Sequence, residues 1–325
     1  MTIAAVLSGE KRWHVQQADC LEFMAGLPAD SCSLVFGSPP YEAQRTYGIG
    51  FNLQCQAWVD WMVKVYQASL RICTGLVAFV VEGKTSKFRY SVTPALLMSD
   101  LHRAGVNLRK PPIFHRVGIP GSGGPDWLRN DYEFIVCATR PGKLPWSDNT
   151  AAGHPPKWAP GGEMAHRLRN GQRANQWGPV SEQGAGRHKD DRHKKGGKRP
   201  SHRMEKVGFA TAGHKDGDTP NGQGYDPPAL ANPGNVIHCN VGGGQMGGDE
   251  FASQNEAPFP EDLAAFFVRS FCPPDGICID PFAGSGTTGA VSIRWGRRFL
   301  GCDVRQSQVE LSTRRLEAET PMMFV

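Results

Sequence analysis

The chain offers no paired cysteines to staple it: its nine cysteines are an odd number, and no two stand in a C-x-x-C arrangement. Scattered singly through apolar runs, they read as reduced core thiols and not as a disulfide frame. His238 and Cys239 with Cys272 and Cys278 come nearest to a metal set, but their spacing fits no zinc pattern, so no metal is expected. A basic leader with an apolar core is missing from the first residues, and no apolar run approaches membrane-spanning length. These absences set aside the secreted and membrane-spanning classes and point to a cytoplasmic protein. Charge is also short in the aggregate. The net charge is only +5, yet residues 142–235 hold fifteen Lys and Arg against nine acids, so this segment supplies the whole basic excess. A basic excess confined to one segment is the electrostatic footprint of a nucleic-acid binder.

Hydrophobic residues make up 39% of the 325 positions, enough for one substantial α/β core with a loop-rich insertion. The stretch around which the chain is organised lies near its end. A short apolar run, Ile277 to Ile279, leads through Asp280-Pro281-Phe282-Ala283 into Gly284, Gly286 and Gly289, which satisfy G-x-G-x-x-G. A helix follows, and then a second short strand ends in Asp303. Glycines let backbone approach a ligand closely, and a carboxylate at the next strand end suits ribose hydroxyls. The reading is a nucleoside-containing cofactor. Only about twenty residues follow Asp303, and residues 307–319 read as one amphipathic helix. The remaining strands of a doubly wound sheet must therefore come from the N-terminal part, in circularly permuted order.

Taken from the start, Trp13 to Gln17 reads as a strand, followed by Asp19 and an amphipathic turn through Leu21, Met24 and Leu27. Residues 33–37 read as a buried strand running into Ser38-Pro39-Pro40-Tyr41. Two prolines cannot continue a ladder, so they set a rigid turn there. A loop with Arg45 follows. Residues 56–71 have helical apolar spacing, 72–81 read as a strand, 94–104 as a helix, and 113–117 and 132–138 as strands. Trp58, Trp61, Phe79 and Phe134 read as core. From Pro141 to about Pro233 periodicity vanishes, which suits either a solvated, partly disordered spacer or a DNA-contacting surface. Order returns at residues 235–238, and Glu261 or Asp262 is expected to cap a helix through Phe266, Phe267 and Phe271.

Ser38-Pro39-Pro40-Tyr41, the loop from Asp280 to Thr287 and the segment from Asn255 to Pro260 together resemble the amino-group DNA methyltransferases that use S-adenosylmethionine, in their permuted beta class. The departure is at Asn255, where that family more often has His. The resemblance implies an α/β fold with a doubly wound, mostly parallel, seven-stranded Rossmann-like methyltransferase sheet, circularly permuted, with a loop-rich basic insertion. Residues 1–140 would be the catalytic half, 141–234 the target-recognition insertion and 235–325 the cofactor-binding half. It further implies cofactor contacts from Asp19 (to the adenine amine), Cys20, Phe259, Asp280, Pro281, Phe282, Gly284, Ser285, Gly286, Thr287 and Asp303. The partner implied is double-stranded DNA in a bacterial or phage-infected cell, with a cognate restriction endonuclease left open.

The chemistry of the motif agrees with this resemblance. An exocyclic amine conjugated with its ring is a poor nucleophile, and Ser38 Oγ with the Pro39 carbonyl can accept its hydrogens and localise its lone pair. Tyr41 can stack on a base that has left the duplex. In the family a leading Ser goes mainly with cytosine N4, while Asp or Asn goes mainly with adenine N6. A nicotinamide dehydrogenase would leave the Ser38 motif unexplained, and a catalytically dead DNA-binding module would not need Ser38, Tyr41, Gly284 and Asp303 intact. For DNA contact the candidates are Arg45, then Arg167, Arg169 and Arg173 for base readout, and Arg187, Lys189, Arg192, Lys194, Lys195, Lys198 and Arg199 for phosphates.

Overall fold

The computed structural model describes residues 2–42, 51–118, 124, 126–154, 230–241 and 260–320. Its strands are β1 (Trp13–Gln17), β2 (Cys32–Gly37), β3 (Cys73–Val81), β4 (Thr85–Ser86), β5 (Arg89–Tyr90), β6 (Asn107–Arg109), β7 (Ile113–Val117), β8 (Tyr132–Thr139), β9 (Val236–Asn240), β10 (Ile277–Asp280) and β11 (Arg298–Asp303). The helices are α1 (Ile3–Leu7), α2 (Cys20–Ala25), α3 (Cys55–Ile72), α4 (Thr93–Arg103), α5 (Glu261–Phe271), α6 (Thr287–Arg294) and α7 (Gln306–Ala318). Two compact units are distinguished, Met1–Ala152 with Pro233–Val325 as one and Gly153–Asn232 as the other. In the second, the described residues include an antiparallel bridge between His154 and Ala231.

One sheet runs β1-β11-β10-β2-β3-β8-β7-β9, with β6 also paired to β8. The pairs from β1 through β3 are all parallel, and β8 is antiparallel to both β3 and β7. The strand β10, close to the end of the chain, thus sits in the middle between β11 and β2, so the permuted order inferred from the sequence holds. The expected fold has seven strands and this sheet has nine. The additions are β6, which lies against the end of β8, and β9, which extends the far edge parallel to β7.

Strand alternation distributes the core to two faces. Val35, Ile277 and Ile279 pack with α1 to α4, whereas Leu34, Phe36 and Cys278 pack with α5 to α7. Because both faces are covered, β2 and β10 read as unbroken apolar runs. The Phe36 ring stacks on Phe267 at 4.5 Å between centroids, tying β2 to α5. Trp58, Trp61, Phe79 and Phe134 all belong to or pack against the core on the α3 side, as expected. Eight cysteines are buried and Cys55 alone is exposed; all nine are free thiols. His238 and Cys239 point to opposite sides of β9, one exposed and one buried, so they cannot ligate one ion.

The helix cap is different from expectation. Pro260 is the N-cap of α5 with no side-chain cap, and Glu261 and Asp262 lie in the first turn. Glu261 is drawn instead to two guanidiniums, Arg294 at 2.5 Å and Arg315 at 2.6 Å, which offer charge-assisted bonds stronger than a backbone cap. Among the described residues no helix is long and apolar enough to cross a membrane.

Gly289, in the middle of α6, is where the fold tolerates no side chain. A Cβ there would lie 2.7 Å from the Phe299 ring, which is fully buried in β11. Helix propensity favours Ala over Gly by about 1 kcal/mol, but overpacking a filled site costs about 1–3 kcal/mol, and a ring locked in the sheet cannot yield. Gly289→Ala is therefore expected to lower the urea midpoint; an unchanged or raised midpoint would show that the contact relaxes.

Candidate active site

The parallel strands end together at one edge, and the sequence candidates among the described residues lie in or beside the loops there. Gln17 is register partner to Asp303, Ile279 to Val35, and Gly37 to Phe79. The glycine loop after β10 and the tetrapeptide after β2 are therefore neighbours across the centre of the sheet, where ligands of such sheets bind. The two loops meet at Gly37: a Cβ there would overlap the Asp280 carboxylate.

Asp280 is fully buried. Its Oδ1 accepts from the Phe282 amide at 2.9 Å, while Oδ2 is buried and makes no hydrogen bond among the described residues. Burial pushes the carboxyl up to about 7, although the Phe282 amide and the nearby Thr288 hydroxyl work the other way. Phe282 is half-buried, its ring 5.7 Å from Trp61 and 5.8 Å from Phe79. Gly284 and Gly286 both have positive φ, 50° and 80°, and Gly286 starts α6 in the left-handed region. Asp303 closes the loop from the next strand: Oδ2 accepts from the Gly284 amide at 3.1 Å and Oδ1 from Arg305 N at 2.9 Å.

The side chains of Ser285 and Thr287 turn inward. Arg315, almost fully buried in α7, donates to the Ser285 carbonyl at 3.3 Å and to Thr287 Oγ1 at 3.0 Å while pairing with Glu261. It is a cationic prop beneath the loop. Pro281 is buried, its carbonyl accepting from the Cys302 thiol at 3.3 Å. Asp19 is exposed as the N-cap of α2, its Oδ1 taken by the Leu21 and Glu22 amides. Cys20 is buried, and desolvation raises its thiol to about 12.

On the other side, Ser38 Oγ lies 3.3 Å from Tyr41 Oη and 3.5 Å from the Val80 carbonyl. Tyr41 donates its hydroxyl to Glu133 Oε2 at 2.7 Å, and Arg116 pairs with Glu133 at 3.0 Å. The Pro40 carbonyl is taken by Trp58 Nε1 at 2.8 Å, so this core tryptophan also fixes the turn. Glu42, the next residue, is buried and accepts from the Cys55 amide (2.8 Å), the Thr93 hydroxyl (3.1 Å) and the Lys84 amide (3.2 Å). Glu82, at the end of β3, accepts from the Gly83 amide and Tyr90; burial pushes it up to about 7.

Sequence reasoning missed Glu42, Glu82, Glu133 and Arg315. Glu42 could have been suspected, since it extends the tetrapeptide; the others are isolated charges with no local signal. Phe259, Arg45 and the ten basic candidates from Arg167 to Arg199 lie outside the described residues.

Comparison with known proteins adds three findings. A family model described as DNA methylase matches residues 32–314. Among curated relatives, the type II methyltransferase M.ScaI of Streptomyces caespitosus is 35% identical over 68 residues, 21% of this chain and 22% of that one. The type II methyltransferase M2.DpnII of Streptococcus pneumoniae is 37% identical over 71 residues, 22% of this chain and 26% of that one. The chain thus spans about a quarter of the curated relatives it matches. Among solved structures, the cytosine-N4-specific PvuII DNA methyltransferase has the same fold with a TM-score of 0.59 and 17% identity, over 94% of this chain and 86% of that one. A Thermus thermophilus protein described as a putative DNA modification methylase and complexed with S-adenosyl-L-methionine gives 0.55 and 21% identity, over 96% of both chains.

Asp280 yields a test of the site in the ligand-free protein. The stability conferred by keeping its carboxyl protonated is complete below the ordinary value of 3.8 and is lost as pH rises through about 7. Asn would keep the acceptor for the Phe282 amide without the charge. From about pH 5 to about pH 8 the melting temperature of the wild type is expected to fall more than that of Asp280→Asn; parallel profiles would mean that Asp280 ionises freely.

Proposed function

Because the chain belongs to the DNA methylase family, whose model spans residues 32–314, we propose that it transfers a methyl group from S-adenosylmethionine to the exocyclic N4 amine of cytosine in double-stranded DNA. The observation that carries this reading is the adjacency of two loops at neighbouring strand ends, one with a hydroxyl acceptor at Ser38 and one with a carboxylate-flanked glycine turn.

The residues fit the cofactor. The unpartnered Asp280 Oδ2 is an acceptor suited to the ammonium of its methionine part, and the Asp303 carboxylate retains lone pairs for ribose hydroxyls beyond its two backbone donors. Asp19, with Oδ1 committed to its helix, keeps Oδ2 for the adenine amine. Phe282, braced by Trp61 and Phe79, supplies an apolar wall, and Cys20 is a further cofactor contact in this reading, as is Phe259, which lies outside the described residues. When bound, S-adenosylmethionine supplies an electrophilic methyl group on its sulfonium.

Ser38 Oγ and the Pro39 carbonyl accept the two hydrogens of the target amine, so its lone pair turns from the ring toward the methyl carbon as nitrogen becomes tetrahedral. After transfer the extra amine proton departs to solvent. Tyr41, its hydroxyl held by Glu133, presents a fixed ring on which an extruded base stacks. Pro40 is held by Trp58 and sets the turn. Direct transfer needs no cysteine nucleophile, in keeping with thiols that are almost all buried. Ser in the first motif position favours cytosine over adenine. A DNA substrate puts the reaction in the cytoplasm of a bacterial or phage-infected cell, and a companion restriction endonuclease is worth seeking because curated relatives are type II methyltransferases.

Sequencing that detects modified bases, applied to DNA from cells expressing the chain, is expected to find N4-methylcytosine at one recurring sequence. N6-methyladenine would move the reading to adenine, and unmodified DNA would sink it. Ser38→Ala is expected to lower methyl transfer on the order of 10²-fold while calorimetry still detects cofactor binding; full turnover would remove Ser38 from the mechanism.

In the same reading Arg45 and the basic segment hold the duplex, with Arg167, Arg169 and Arg173 reading bases. Replacing Arg187, Lys189, Arg192, Lys194, Lys195, Lys198 and Arg199 by neutral residues is expected to flatten the salt dependence of DNA binding by about one unit of slope per lost phosphate contact. Identical slopes would leave the segment a spacer.

A further inference from the structure

The mechanism leaves one element without a task, the hairpin that β4 and β5 form beside the site. Its register is Thr85 with Tyr90 and Ser86 with Arg89, so Lys87 and Phe88 make the turn. Both have positive φ, 50° and 62°, in a conformation that such turns usually give to Asn-Gly. Val92, just beyond, is also left-handed at 53°. Three non-glycine residues within six positions hold a conformation that costs each of them energy, and strain so concentrated accompanies functional segments.

The hairpin is rigid at its base and open at its tip. Lys84 N donates to Glu42 Oε1 at 3.2 Å and to Ser91 Oγ at 2.9 Å, and the Ser91 amide donates to the Lys84 carbonyl at 2.9 Å. Tyr90 donates to Glu82 Oε1 at 3.1 Å, and its ring lies so close to Gly83 that a Cβ there would be 2.5 Å away. Glu42 directly follows Tyr41, so the base is stapled to the residue next to the tetrapeptide. The tip carries Phe88, 82% exposed. From Lys84 to Ser91 the chain has three cations, Lys84, Lys87 and Arg89, and no acid.

A phenyl ring held out on a strained turn in this way buries little among the described residues. The ring gains nothing until a partner covers it, and the cations around it favour a polyanion. Phe88 stands six positions beyond Glu82, at most about 20 Å of extended chain, and Val80 at the foot of that segment offers its carbonyl to Ser38 Oγ at 3.5 Å, so the tip lies within reach of a duplex that delivers a base to Ser38. An apolar wedge flanked by cations is the combination that enters between base pairs while the cations meet phosphates.

We propose that Phe88 enters the duplex where the target base has left it, with Lys87 and Arg89 on the flanking phosphates. This rests on the DNA methyltransfer reading. The wedge occupies the vacated stack and slows the return of the base, so its effect is largest where the base pair is intact and smallest where pairing is already broken.

The test uses the full chain and synthetic duplexes carrying the sequence that modified-base sequencing reports, with the target base either paired or mismatched. Phe88→Ala is expected to lower methylation of the paired duplex at least about tenfold more than that of the mismatched one. Phe88→Leu, which keeps an apolar wedge, is expected to recover most of the difference. Lys87→Gln combined with Arg89→Gln is expected to reduce the salt slope of binding to the paired duplex by about two units. Equal losses on both duplexes, no loss on either, or an unchanged slope would overturn the proposal. A wild-type chain that methylates no DNA would overturn instead the reading on which it rests.

Discussion

Two halves of the sheet that are far apart in the chain are joined by a contact that admits no side chain. Gly37 ends β2 where the carboxylate of Asp280 ends β10, and the volume of a Cβ at the first is already filled by the second. The pairing of Ile279 with Val35 sets this register, so the Ser38 tetrapeptide and the glycine loop leave the sheet side by side. A slip of one residue would move Phe36 off Phe267 and exchange the two core faces. The close approach at Gly37 is therefore a consequence of core packing and at the same time what brings the Ser38 tetrapeptide beside the glycine turn.

Around this junction the loops are held by buried charges. Arg315 reaches through the core from α7 to the underside of the glycine turn and is balanced there by Glu261. Glu42 gathers donors from the start of α3, the start of α4 and the base of the β4–β5 hairpin. Each ion has several partners, which is the condition under which a charge can be buried without loss of the native state. Loops that face a ligand cannot be packed on that side. Anchoring from beneath by strong, directional bonds lets their outer surface stay polar and accessible.

The order of elements was legible because it rests on local periodicity. Unbroken apolar runs marked β2, β3 and β10, helical spacing marked α3, and Pro94 with Gly105 bounded α4 within a residue or two. The glycine turn and the Ser38 tetrapeptide were legible as chemistry, since both use residues whose backbone properties are peculiar to them. The N-cap of α5 departs from the local reading because a carboxylate near a helix start has a local use as a cap and a distant one as an ion pair, and Arg294 and Arg315 decide between them. Glu82 and Glu133 were invisible in the sequence, for a lone acid in or just past a strand looks the same whether it faces solvent or, as here, Tyr90 and Tyr41.

The α/β alternation, the permuted order of the parts and the identity of the groups that can do chemistry are written in the primary structure, because each follows from residue type and spacing along a few turns of chain. Which of those groups meet is settled only once the chain has folded. Ser285 and Thr287 belong to the motif, yet their side chains are turned inward onto Arg315, and Trp58, counted as core, holds the Pro40 carbonyl. Such assignments depend on strand register and on long-range partners, and neither is encoded within the reach of a local pattern.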